Sequence, residues 1–233
     1  PASDAGIKRG DIFYKFNGVE MNLDNYRVVN AFFSDEQISM EFAELNNGGL
    51  DPIEGEKILV LREVVDNPIY EYKVFDNING SKVGYLMYNQ FRYTFHEELN
   101  DVFAFFKGEG IQELVLDLRY NPGGVVLTSA YLASMIHGEA DTNDFFAKLI
   151  YNEKKSDENL GYPFFDRVAL YDKDTGEYLG TQIEMNRLLG LNRLYVITTD
   201  DTASASEMII NGLSPYIDIV QVGTTTTGKN VGS

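Results

Sequence analysis

The chain has no cysteine, no tryptophan and only two histidines among its 233 residues. Without cysteine there is no disulfide, no thiolate metal site and no Cys-His nucleophile, and a chain of this length needs no disulfide to fold. With only His96 and His137 as imidazoles, covalent catalysis must draw on something other than the commoner Cys-His or Ser-His pairings. No apolar run approaches the roughly 20 residues of a membrane-spanning helix. Positive charge is scarce too: 19 Lys and Arg against 36 Asp and Glu leave a net charge of −17. Such a surface repels a phosphate backbone or an anionic membrane and argues against nucleic acid as a partner. The chain opens at Pro1 without a methionine or a signal peptide, and is expected to be a fragment whose targeting segment has been removed.

Hydrophobic residues at 44% and aromatics at 13% supply a sizeable core, enough for one large domain or a domain with a small module. Residues 1–66 read as the module. A short turn at residues 1–11 leads to a strand at residues 12–16 and an Asn17-Gly18 turn. A helix is expected over residues 24–33, then a strand over residues 37–45 with Ile38, Met40 and Phe42 on one face. Asn46-Asn47-Gly48-Gly49 breaks the pattern, and a strand over residues 57–65 closes the module before a linker at Asp66-Asn67-Pro68. From Tyr70 onward strands alternate with helices, an α/β pattern. Strands are expected at residues 70–75, 82–88, 113–118, 193–198 and 217–222, and helices at 94–107, 125–137 and 204–213. Residues 142–184 read as irregular, with strands at 145–151 and 164–171.

Thr202-Ala203-Ser204-Ala205-Ser206-Glu207 puts a serine at the head of an expected helix, and Gly228-Lys229 follows, with Lys229 25 residues beyond Ser204. These are the parts of a Ser-Lys dyad. A serine hydroxyl needs a base to take its proton, and a lysine serves only when neutral, which burial in an apolar pocket favours. The flanks of Lys229 carry no other cation next to it, which suits such a pocket. Unpaired amides at a helix N-terminus favour a developing oxyanion. The Ala205 amide is the natural first donor, and Gly123 or Gly124 of the Arg119-Tyr120-Asn121-Pro122-Gly123-Gly124 loop could supply a second. Taken alone, each piece has a plainer explanation: Ser204 and Glu207 form a capping box, Lys229 is a solvated loop lysine, and Pro122-Gly123-Gly124 is a turn.

Gly223-Thr224-Thr225-Thr226-Thr227-Gly228-Lys229 also matches a phosphate-binding loop up to its last position. There Asn230 replaces the hydroxyl residue that binds magnesium, and no helix follows, so a nucleotide site is rejected. His96 and His137 read as surface or helix-end residues, and the acidic residues Asp4, Asp11, Glu20 and Asp24 as a solvated face. No His pair or carboxylate cluster has metal-ligand spacing, so neither metal nor other cofactor is expected.

Taken in order, the motifs resemble those of the carboxyl-terminal processing (tail-specific) serine proteases. Gly6-Ile7-Lys8-Arg9-Gly10-Asp11-Ile12 with Asn17-Gly18 resembles the later half of that family's PDZ module, and Val83-Gly84-Tyr85-Leu86 resembles the opening strand of its catalytic core. Leu116 to Gly124 resembles the core signature, Thr202 to Glu207 the nucleophile motif, and Gly228-Lys229 the base, at the family's spacing. The resemblance implies Ser204 as nucleophile, rather than Ser206, and Lys229 as general base. It implies an oxyanion hole from the amides of Ala205 and Gly124. The fold it implies is a crotonase/ClpP-like α/β core over residues 67–233, truncated at its C-terminal end, after a partial PDZ-like module over residues 1–66. Polypeptide is the implied substrate, periplasm, envelope or exterior the implied location, and a homo-oligomer is compatible with it. Many members carry a glutamine four residues after the lysine, where this chain has Ser233. That departure motivates an alternative, a protease-like peptide-binding protein without turnover; a third reading, a PDZ-like scaffold, leaves the second half of the chain idle.

Overall fold

A computed structural model describes residues 4–27, 37–60 and 67–229, and the chain divides into two compact units, Pro1–Asp66 and Asn67–Ser233. In the first unit, two Asn-Gly pairs set the hairpins. Asn17 and Gly18, like Asn47 and Gly48, all have positive φ (46° and 74°, 47° and 84°), the backbone a two-residue hairpin needs to match strand twist. They help join β1 (Ile12–Phe16), β2 (Val19–Glu20), β3 (Gln37–Asn46) and β4 (Gly49–Val60) into an antiparallel sheet of order β2-β1-β3-β4. The period-two pattern puts Ile38, Met40 and Phe42 on one buried face with Phe16, against Ile7, Val19, Met21 and Leu59. The residues read as a break before a strand at 57–65 are instead the turn into β4, which starts at Gly49 and pairs along β3. Most of the helix expected over residues 24–33, and residues 61–66, lie outside the described residues.

The second unit is mixed α/β. β5 (Ile69–Ile78) and β6 (Ser81–Tyr88) form a hairpin around Asn79 and Gly80, both at positive φ. Then follow α1 (His96–Glu109), β7 (Glu113–Asp117) and α2 (Val126–Ile136). Two ribbons come next, β8 (Phe145–Leu149) with β9 (Leu160–Pro163) and β10 (Arg167–Tyr171) with β11 (Tyr178–Glu184). β12 (Arg193–Thr198), α3 (Ala205–Leu213) and β13 (Asp218–Gly223) complete the described chain. The main sheet has the order β13-β12-β7-β6-β5; every pair is parallel except β5 with β6. Parallel neighbours need a crossover, which α1, α2 and α3 supply. Leu86, Tyr88, Leu114, Leu116, Leu194 and Val196 alternate onto one fully buried face and share a core with Leu99, Phe103 and Phe106 of α1, Leu132 of α2 and Ile209 of α3. Burying each such side chain contributes about 1.5–3 kcal/mol. The segment read as irregular is thus two hairpin ribbons, and Phe164, read as strand, is a buried core residue between them. β11 escaped notice because six of its seven residues are exposed, which removes the alternation that marks a strand.

This topology has one consequence for function. Ile197 of β12 is in register with Asp117 of β7, and Thr198 with Gly223 of β13. Three adjacent parallel strands therefore end side by side, and their exit loops meet at the carboxyl edge of the sheet, where open α/β sheets place ligands.

His96 corrects one expectation. It is buried at 1% exposure, with Nδ1 3.0 Å from the Ala169 carbonyl and Nε2 2.8 Å from the Thr128 hydroxyl. The Thr94-to-Lys107 pattern did contain this residue beside the apolar stripe, but two glutamates next to it masked its burial. Burial pushes its pKa down to about 4. Between that value and an unfolded value of about 6.5, the unfolded chain binds the proton and the folded chain does not. Stability therefore falls as pH drops through that window, by about 3 kcal/mol from this group. Urea unfolding at pH 7 and pH 4.5 should show the loss, and His96→Gln should flatten it. Among the described residues no helix is long and apolar enough to cross a membrane.

Candidate active site

Hydroxyl groups bind the exit loop of β12 to that of β7. Thr202 Oγ1 donates to the Leu118 carbonyl at 2.8 Å and accepts from the Thr199 amide at 3.0 Å. Ser206 Oγ donates to the Asn121 carbonyl at 2.9 Å, and the Ala203 amide reaches the same oxygen at 3.2 Å. Ser206 is fully buried by this contact, so its hydroxyl is committed to holding the loops together. Ser204 is half-exposed between them. It stands just before α3 with φ 57° and ψ −115°, whereas an ordinary N-cap residue is extended. A side chain bearing a Cβ pays about 1–3 kcal/mol for such a backbone, and strain of this kind gathers at functional turns.

The exit loop of β13 is bound in turn to the same place. The Thr198 hydroxyl donates to the Thr224 carbonyl at 2.9 Å, Thr227 Oγ1 to the Asp200 carbonyl at 2.7 Å, and the Thr227 amide to the Thr202 carbonyl at 3.0 Å. The meeting point is Glu207. Its carboxylate accepts from the Ser204 amide at 2.8 Å, the Thr226 hydroxyl at 2.7 Å, the Gly228 amide at 2.5 Å and the Lys229 amide at 3.0 Å. Burial works to raise the Glu207 carboxyl, but these four donors outweigh it and hold the group below the usual carboxylate range. One carboxylate thus ties the backbone of the serine to the backbone of the lysine.

The β7 loop begins at Asp117, which is fully buried. It accepts from the Arg119 amide and guanidinium and from the Tyr85 hydroxyl at 2.8 Å. Burial alone would raise this carboxyl, yet Arg119 and Tyr85 keep it below its ordinary value. At the far end Gly123 and Gly124 have φ of 104° and 138°, open to glycine and few others. A methyl on Gly123 would lie 2.7 Å from Ser204 Cβ and 2.9 Å from the Ala205 nitrogen; one on Gly124 would lie 2.3 Å from the Phe91 carbonyl oxygen. Gly124→Ala should therefore displace the loop, lowering stability by on the order of 3 kcal/mol in denaturant titration and activity with it. The Gly123 amide donates to Asn121 Oδ1 at 2.9 Å. The amides of Gly124 and Ala205 meet no acceptor among the described residues.

The residues singled out in the sequence thus lie on neighbouring loops: Ser204 and Ala205 at the head of α3, Gly124 on the β7 loop that packs over Ser204, and Lys229 at the end of the β13 loop. Lys229 departs from one expectation, for it is exposed; its loop is pinned through the backbone to Glu207. Ser233 lies outside the described residues. Sequence reasoning assigned Glu207 only to a capping box. That bond to the Ser204 amide exists, but nothing local announces the other three donors, which arrive from residues 19 to 22 positions later. Asn121 reads in the sequence only as part of a turn. His137 sits at the C-terminal end of α2 against Phe164 and Tyr216, away from the three loops. No group of three or more His, Cys, Asp or Glu among the described residues could hold a metal ion.

Residues 82–233 match peptidase family S41. Among curated proteins, the chain is 25% identical over 231 residues to the chloroplastic carboxyl-terminal-processing peptidase 1 of Arabidopsis thaliana, covering 99% of this chain and 42% of that one. It is 24% identical to the carboxy-terminal processing protease CtpA of Bacillus subtilis, covering 98% of this chain and 42% of the relative. The chain therefore spans well under half the length of these relatives. Among solved structures, a Bacteroides fragilis protein assigned to the S41 proteases superposes with a TM-score of 0.63 at 30% identity, over all of this chain and 58% of that one. The photosystem II D1 C-terminal processing protease shares the fold, with a TM-score of 0.52 at 19% identity, over 98% of this chain and 55% of that one.

Proposed function

The chain belongs to peptidase family S41, and from that premise we propose that it carries the nucleophile, base and oxyanion donors of a serine endopeptidase acting on polypeptides. Ser204 Oγ attacks the scissile carbonyl carbon while its proton passes to Lys229 Nζ, and the carbonyl oxygen becomes an oxyanion between the amides of Ala205 and Gly124. Collapse of that intermediate expels the amine, which takes the proton from Lys229, and leaves an acyl group on Ser204. Water, losing a proton to the same lysine, then attacks the acyl carbon; collapse of that second intermediate returns the proton from Lys229 to Ser204 Oγ and releases the new carboxyl terminus. The observation that carries this reading is the Glu207 carboxylate, which holds the amides of Ser204 and Lys229 at 2.8 Å and 3.0 Å. A helix cap needs only the first of these bonds; the second holds the loop of Lys229 beside the turn of Ser204.

The second unit is read as a crotonase/ClpP-like core and the first as a partial PDZ-like module, in a protein working outside the cytoplasm. The test is cleavage of a disordered polypeptide by the full-length protein beside its Ser204→Ala and Lys229→Ala variants. Unchanged cleavage by either variant overturns the dyad.

A further inference from the structure

Asn121 occupies a place in the site that the reaction above does not use. It is fully buried, and each of its polar groups is engaged. Nδ2 donates to the Tyr88 carbonyl at the end of β6 (2.8 Å), and Oδ1 accepts from the Gly123 amide (2.9 Å). Its main-chain carbonyl accepts from Ser206 Oγ (2.9 Å) and the Ala203 amide (3.2 Å), and its own amide donates to the Leu118 carbonyl (3.0 Å). One residue thus joins the end of β6, the glycine loop and the turn that presents Ser204.

The consequence lies in which glycine amide is left to act. Gly123 and Gly124 offer adjacent N–H groups, and that of Gly123 is consumed by Asn121. The Gly123 carbonyl accepts from the Phe91 amide at 3.0 Å. There is no cis peptide in the described chain, and a trans peptide unit points its C=O and N–H in opposite directions. The Gly124 N–H therefore points away from residue 91, and it has no acceptor among the described residues. Without the Asn121 side chain, Gly123 N–H is released, the loop can rotate about its two glycines, and the Tyr88 carbonyl is left buried without its partner.

We propose that Asn121 is a positioning residue of the oxyanion site: it takes up the Gly123 amide, leaves the Gly124 amide as the loop's donor, and through its carbonyl fixes that donor against the Ser204 turn. This rests on the peptidase reading above. The side chain touches no reacting atom and acts through the two glycines.

The test compares the full-length protein with its Asn121→Ala and Asn121→Asp variants on an internally quenched disordered peptide, with Ser204→Ala in parallel and thermal unfolding of each. Asn121→Ala should lose about 10²–10³-fold in kcat, the range for loss of one oxyanion donor, with KM within about threefold. Affinity for a peptide boronate, which forms a tetrahedral adduct, should fall in parallel, whereas binding of uncleaved peptide should not. Asn121→Asp keeps the side-chain volume, loses the donor to Tyr88 and brings a carboxylate close to the developing oxyanion; it should fold and lose about tenfold or more in kcat. A folded variant of either kind with kcat and boronate affinity within about threefold of the parent overturns the assignment. So does a loss of peptide binding equal to the loss of kcat, which would mark a merely structural residue. If Ser204→Ala remains active, the peptidase reading has failed; if only the Asn121 variants do, this inference alone has failed.

Discussion

Ser204→Ala in the full-length protein should reduce peptide hydrolysis by about 10⁴-fold or more, with KM little changed. The alanine keeps the Ala205 and Gly124 amides and the loops around them, so substrate should still bind; only the atom proposed to form the acyl-enzyme is gone. On the proposed dyad Lys229→Ala should fall to a similar level, because residues that act as a unit are grossly non-additive, and the double variant should be no worse than either single one. Ser206→Ala gives the contrast. Its hydroxyl is spent on the Asn121 carbonyl, so its loss costs about 1 kcal/mol of stability and a small part of the rate. Ser204→Gly separates strain from chemistry. At φ 57° glycine relieves a conformation that serine tolerates poorly, and this variant should be inactive yet more stable than the parent by about 1 kcal/mol. Chemical denaturation and steady-state kinetics on the same samples check all four results.

Glu207→Ala has the second largest effect. It removes the acceptor of four hydrogen bonds at once and so releases both the Ser204 turn and the loop that carries Lys229. Displacing a reacting group by about 1 Å can cost on the order of 10²-fold in rate, so a loss of about 10²–10³-fold in kcat is expected. Unlike Ser204→Ala, the variant also loses stability, on the order of 3 kcal/mol, since three amides and a hydroxyl lose their charged acceptor. Glu207→Gln preserves the size but has one carbonyl oxygen for four donors, and should fall between parent and alanine. The carboxyl also gives a pH signature. Its folded pKa lies below the unfolded one, so its contribution to stability is present above an unfolded value of about 4.3 and is lost as pH falls through the folded value. Unfolding free energies of the parent and Glu207→Gln, measured from pH 6 downward, should converge over that acid range.

Much of this fold is legible in the sequence where one physical cause dominates. Period-two alternation marks β3, the apolar stripe of Leu99, Val102, Phe103 and Phe106 marks α1, and Asn79-Gly80 marks the hairpin between β5 and β6. The ribbon strand β11 is not legible, because a strand exposed on nearly every residue carries no hydrophobic period. At the site, a serine before a helix and glycines after a buried strand mark Ser204, Ala205 and the Gly123-Gly124 pair, and the choice of Ser204 over Ser206 and of Gly124 over Gly123 comes only from the family resemblance. Two of the residues that bind the loops to one another cannot be picked out in this way. Glu207 looks like the second half of a capping box and Asn121 like a turn residue, since each has a sufficient local explanation. Their further partners come from chain segments brought near only by the parallel order of β7, β12 and β13. Lys229 follows a threonine-rich loop after β13, and its exposure fits the solvated loop lysine of the plainer reading rather than a buried base; its place is set by the loop pinned to Glu207.

Acid-quenched turnover followed by peptide mapping tests the dyad most directly. The full-length protein, mixed with a peptide ester that acylates faster than it deacylates and then quenched, should carry the acyl half of the ester on the fragment containing Ser204. The Ser204→Ala variant should carry none, and Lys229→Ala should acquire it far more slowly. An acyl group mapped to another residue, or gained by Ser204→Ala as readily as by the parent, would contradict Ser204 as the nucleophile.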